Sequence, residues 1–188
     1  MRPINLVHFL VLILLLSACG TSQQTGRQVT SFSFTDQNGN SFGTEQLDGK
    51  VWIADFIFIG CTTVCPQMTS EMANLQTAFK EKGLEVEFVS FTVNPNIDSP
   101  TILKDYISQF TDDESNWHLL TGYSQETIES LALNQFQTIV QKPKTSSQVI
   151  HGTNFYIVNQ DGLIVNEFNY VEENFVEQVV DQVTKLLK

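Results

Sequence analysis

Positive charge is scarce in this chain. Only 10 of its 188 residues are Lys or Arg, against 21 Asp and Glu, and the net charge is −11. A field of that sign repels phosphate backbones and anionic headgroups, which argues against nucleic acid as a partner. Uninterrupted apolar stretches are short: Phe9 to Leu16, near the N-terminus, lacks the length to cross a bilayer on its own. Repeats and low-complexity blocks are absent after residue 30. At 188 residues and 41% hydrophobic content, the chain suits one well-packed domain and leaves no room for a second. Cysteine is also rare, with three in all, so the position of each carries weight.

The N-terminus has the order of a secretory signal: Arg2, then the apolar run, then the small residues Ser17 and Ala18 before Cys19. Leu16-Ser17-Ala18-Cys19 resembles the lipobox of bacterial lipoproteins, which are cleaved before the cysteine and lipidated on it. An ordinary signal peptide cut elsewhere is the alternative. On the lipoprotein reading, residues 1–18 are the signal peptide and Cys19 is the lipidation site; losing Arg2 shifts the net charge of the mature chain to −12. Residues 19–30 are polar and rich in Gly, Ser and Thr, as in a flexible tether, and residues 31–188 form the folded domain. The domain is thereby expected at the cell membrane, lipid-anchored on the extracytoplasmic side, where disulfides persist.

Within the domain, β-type and helical patterns alternate. Phe32 and Phe34, the turn Asp36-Gln37-Asn38-Gly39 and Phe42 predict an N-terminal β-hairpin. "VWIADFIFI", residues 51–59, reads as a strand buried on both faces, with Asp55 the exception. Met68, Met72, Leu75 and Phe79 recur at helical spacing up to Gly83, which marks them as core residues despite their soft sulfurs. Glu85 to Val93 predicts a strand, Ser99-Pro100 a capped helix over 101–110, Trp117 to Leu120 a strand, and Ser124 a cap for a helix to about Phe136. Lys142 to Ser147 is a loop. Thr153 to Val158 and Leu163 to Phe168 flank Asn159-Gln160-Asp161-Gly162, a strong hairpin signal, and Phe175 to Leu187 forms an amphipathic helix. This order predicts an α/β fold, a mixed sheet flanked by helices that is thioredoxin-like in outline.

Cys61 and Cys65 lie between the buried strand and the helix that follows it. A disulfide between them closes a very small ring, which the loop-entropy view values at roughly 2 kcal/mol, so stapling is a weak motive. A strand end opening into a helix instead offers free N–H groups and a dipole that favour thiolate. Three residues separate the two cysteines where thioredoxin-type chemistry uses two, a spacing open both to a redox couple and to two ligands for a soft ion such as Cu(I) or zinc. The mature chain has two histidines. His118 lies in a probable strand and reads as a packed residue; His151, just before a strand, is either a third ligand or a plain loop histidine.

Taken together, "DFIFIGCTTVCPQM", "FTVNPNIDSP", "LTGYSQETIE" and "VIHGTNFYIVNQDG" resemble the Sco/SenC proteins over about Phe32 to Leu187. The resemblance implies a membrane-tethered thioredoxin-fold factor that binds copper, as Cu(I) or Cu(II), and supports assembly of the binuclear CuA site in cytochrome c oxidase subunit II. It places the metal on Cys61, Cys65 and His151, and implies a copper donor and a thiol reductant as further partners. Many thioredoxin-fold oxidoreductases carry a cis-proline at this strand start, whereas Ile150-His151-Gly152 has none, which argues for metal binding. The alternative is an enzyme, a thiol-disulfide oxidoreductase that reduces the cysteines of the CuA site; a peroxidase fits the flanking segments less well. Two departures stand out. Ile150 replaces an Asp common before the histidine, and Asn94 replaces the Asp of an Asp-Pro pair, with Asp98 retained.

Overall fold

The computed structural model describes residues 25–60, 65–146 and 148–188. In chain order its elements are β1 (Arg27–Gln28), β2 (Ser33–Thr35), β3 (Ser41–Gly43), α1 (Thr44–Leu47), β4 (Trp52–Ile57), α2 (Cys65–Lys82), β5 (Glu87–Thr92), α3 (Pro100–Ile107) and β6 (Trp117–Leu120). There follow α4 (Gln125–Leu131), a π-helical turn at Ala132–Phe136, β7 (Val140–Gln141), β8 (Ile150–His151), β9 (Asn154–Val158), β10 (Leu163–Asn169) and α5 (Phe175–Leu186). Six strands form a mixed sheet in the order β1-β10-β9-β4-β5-β6, parallel from β4 to β6 and antiparallel elsewhere. The parallel pairs are joined through α2 and α3, and the antiparallel β9–β10 pair is the late hairpin. This is the thioredoxin-like arrangement expected, including the hairpin of β2 and β3.

The central strand explains the two-sided core. All six residues of β4 are buried. Trp52, Ala54 and Phe56 join Phe91, Phe136 and Tyr156 on one face, while Ile53 and Ile57 meet Met68, Met72, Leu75 and Phe79 of α2 and Val179 and Val183 of α5 on the other. The methionines are therefore core residues, each 0% exposed. Gly83, at φ 64°, ends α2 in the left-handed region that a side chain disfavours. At α3 the Ser99 side chain accepts a hydrogen bond from the Ile102 N–H, with Pro100 as the first helical residue.

Three features depart from the sequence pattern. Arg27 and Gln28 pair with Ile164 and Leu163 of β10, and Val29 is 6% exposed, so residues read as tether belong to the fold and cover an otherwise open strand edge. The opposite edge, β6, is closed by a side chain: the Gln37 amide donates to the Trp117 carbonyl at 2.7 Å and accepts from the Leu119 N–H at 2.9 Å, as a neighbouring strand would. The loop after Gln141 is held between β7 and β8, a two-stranded ribbon in which Val140 faces His151 and Gln141 faces Ile150.

Asp55 is the polar exception in β4. It is fully buried, 0% exposed. Burial pushes its pKa up to about 7, with the Ser90 hydroxyl on β5 opposing that shift less strongly. An acid whose folded pKa is raised binds its proton better in the folded state, so its contribution is most favourable below the unfolded value and is lost as pH rises toward 7. Asp55→Asn is accordingly expected to gain stability relative to the parent as pH goes from 4.5 to 7.5. Urea unfolding at both pH values measures this, and a stability difference that does not change with pH contradicts it.

Candidate metal centre

The C-terminal ends of β4 and β5 point toward the start of α2, the side on which open α/β sheets place their sites. Cys65 is the first residue of α2 and is 1% exposed, packed into the core with Phe56, Phe136 and Tyr156. Its position at a helix N-terminus favours negative charge on sulfur. The Thr69 hydroxyl, one turn on, donates to the Cys65 carbonyl at 3.0 Å and lies 2.7 Å from the Tyr106 hydroxyl, tying the first turn to α3.

His151 comes from the ribbon, 86 residues later, and its Nε2 lies 3.2 Å from Cys65 Sγ. Its other nitrogen, Nδ1, is 2.9 Å from the Gly152 carbonyl. A carbonyl can only accept, so Nδ1 carries the proton and, in the neutral ring, Nε2 presents its lone pair to the sulfur. Burial pulls the His151 pKa down, which favours the neutral imidazole, and the Gly152 bond opposes this less strongly. Sulfur and neutral imidazole nitrogen facing each other at this distance suit a soft or borderline ion such as Cu(I), Cu(II) or zinc.

Cys61 and Cys19 lie outside the described residues. Among the described residues no three His, Cys, Asp or Glu side chains converge to hold a metal; of the expected ligands, Cys65 and His151 are the two that the structure brings into contact. His118 takes no part in it: on β6 it stacks on Phe42 with ring centroids 3.6 Å apart, and its Nε2 is 3.5 Å from Glu87. No helix of the described residues is long and apolar enough to cross a membrane.

Two contributors carry no signature in the sequence. One is the Gly152 carbonyl, which orients the imidazole where Ile150 offers no carboxylate. The other is the glycine itself: a Cβ at residue 152 would sit 2.1 Å from Thr138 Oγ1. Only the dipeptide His151-Gly152, beside a β-rich run, hints at either.

The profile of the SCO1/SenC family matches residues 20–188. A curated relative, the SCO1 protein homolog of Bacillus subtilis, is 40% identical over 92% of this chain and 91% of its own. Among solved structures, a SCO1/SenC family lipoprotein from Bacillus anthracis superposes with a TM-score of 0.85 at 44% identity, covering 89% of this chain and 99% of that one. BsSco, described as a member of the Sco family of cytochrome c oxidase assembly proteins with a disulfide switch, gives 0.79 at 39%, covering 88% and 96%. Yeast Sco1 with copper bound gives 0.68 at 26%, covering 84% and 89%.

Gly152→Ala is expected to destabilise the fold by about 1–3 kcal/mol, the usual range for an overpacked site. Thr138→Ala removes the clashing oxygen and leaves the next side-chain atom at 3.5 Å, an ordinary contact, so the double variant should recover most of the loss. Thermal unfolding of the four proteins measures the coupling. Additive losses would show that the close approach has no energetic weight.

Proposed function

The chain belongs to the SCO1/SenC family, and we propose that it binds copper and serves assembly of cytochrome c oxidase, as a metallochaperone for the CuA site of subunit II. The observation that carries this reading is the 3.2 Å approach of His151 Nε2 to Cys65 Sγ, with the ring neutral and its proton held on the far nitrogen. Copper in the yeast Sco1 structure and the oxidase-assembly role described for BsSco support it. On this reading Cys61, four positions before Cys65, supplies a second thiolate. Two soft sulfurs favour Cu(I), and the imidazole makes Cu(II) tenable. Both cysteines must be reduced to bind; joining them in a disulfide releases two electrons and two protons and excludes the ion. A copper donor and a thiol reductant are then the partners that load and reset the site.

The same reading places the protein at the cell membrane. Lipid on Cys19 anchors it, with a short tether leading to the domain on the extracytoplasmic side; the lipoprotein from Bacillus anthracis supports this.

A second reading, a thiol-disulfide oxidoreductase acting on the CuA cysteines, is favoured by the disulfide switch described for BsSco. There His151 tunes the Cys65 sulfur without ligating metal.

Titrating the reduced protein with Cu(I) and with Cu(II) separates the two. One equivalent of either is expected to bind, Cu(II) with sulfur-to-copper charge-transfer absorption. His151→Ala should weaken Cu(II) binding by more than the about 10–100-fold typical of losing an outer hydrogen bond. Failure of both ions to bind tightly at one equivalent would favour the oxidoreductase, and undiminished affinity in His151→Ala would remove the imidazole from the ligand set.

A further inference from the structure

The ribbon that carries His151 has little to hold it in place. Each of its strands has two paired residues, and an isolated hairpin of that size is unstable in water. Val140 and Val149 anchor it in the core, 5% and 7% exposed, while Ile139 and Ile150 on its outer side are 60% and 55% exposed. A further tie is Lys142, the residue that leaves β7. Its backbone N–H donates to Glu129 Oε1 at 3.0 Å, and its ammonium group donates to Asn94 Oδ1 in the loop after β5.

The acceptor side of that bond is firmly built. Asn94 is 7% exposed, and the neighbouring Asp98 is 2% exposed. The Thr92 hydroxyl donates to the Asp98 carboxylate, and the Thr121 hydroxyl donates to the Asp98 carbonyl at 2.8 Å, which binds this loop to the ends of β5 and β6. Burial pushes the Asp98 pKa up, and the Thr92 hydroxyl and, less strongly, the Lys142 charge oppose that shift. One charged side chain thus ties the short ribbon to a well-bonded loop.

We propose that Lys142 is a positioning residue: by bonding Asn94 beside Asp98 it locks the β7–β8 ribbon against the end of β5 and so holds His151 Nε2 over Cys65 Sγ. The effect on copper rests on the ligand role of His151 proposed above; the effect on the ribbon does not. Asn94, where the family pattern has an acid, then makes the tie weaker than an ion pair, and Asn94→Asp should tighten it.

The test begins with the metal-free protein. The Gly152 N–H donates to the Ile139 carbonyl across the ribbon at 3.2 Å, so its hydrogen exchange reports ribbon opening. Lys142→Met, which keeps the aliphatic stem, is expected to speed that exchange by about 10-fold or more, the loss expected for one charge-assisted hydrogen bond, with β4 and β5 amides unchanged. Asn94→Ala should do the same, the double variant should add little, and Lys142→Arg should stay near the parent. In the copper-loaded protein Lys142→Met should lower Cu(II) affinity about 10-fold and weaken the imidazole nitrogen hyperfine coupling. Unchanged Gly152 exchange in both Lys142→Met and Asn94→Ala, or additive effects in the double variant, overturns the proposal. If the parent binds no copper, the ligand reading fails while the exchange experiment still decides the role of Lys142.

Discussion

The whole arrangement turns on one contact, a cysteine sulfur and a histidine nitrogen 3.2 Å apart that come from segments 86 residues apart. Neither group can be brought there without partners for the rest of its polar atoms, because a buried donor or acceptor left alone costs more than a hydrogen bond returns. The fold meets this demand with backbone. A helix N-terminus receives the sulfur, and the Gly152 carbonyl receives the imidazole proton. Burial then favours the neutral ring, with its lone pair on the side of the sulfur.

Backbone can do this because the sheet around it is stiff. β4 is covered on both faces and flanked on either side by strands of the main sheet. His151 has no such scaffold. It stands on a two-residue strand outside the main sheet, where geometry depends on a few side chains and on the tight fit of Gly152 against Thr138. On the copper reading proposed above, one donor stands at the packed start of α2 and the other on a short ribbon, an arrangement that suits a site which must both hold an ion and give it up.

The large elements were legible because periodicity survives folding. The run from Val51 to Ile59 and the stripe Met68, Met72, Leu75 and Phe79 are patterns of burial, and the structure buries the first as far as Phe58 and the second throughout. Cys65 and His151 were legible as chemistry, though only the family resemblance joined them. What stayed hidden acts through single residues. Two-residue strands such as β1, β7 and β8 have no period to detect. The Gln37 amide closes a sheet edge from inside what reads as a turn, and Lys142 sits in a polar loop where a lysine attracts no notice. Each depends on where a distant segment lies, which no local pattern encodes.

The replacement of an acid by Ile150 takes on a different meaning once the Gly152 carbonyl is seen in its place. A carboxylate that orients a histidine also adds a charge, raises the basicity of the ring and can itself be protonated. A carbonyl orients the same nitrogen without any titration of its own and adds far less to basicity, so burial remains the larger influence on His151. The imidazole therefore keeps its tautomer over the whole range in which it is neutral, and protons compete with metal for Nε2 less than they would beside an acid. In a chain whose surplus of acids already draws protons and cations toward its surface, a neutral partner for this half-buried histidine confines that competition, on the copper reading, to the ligand atoms themselves.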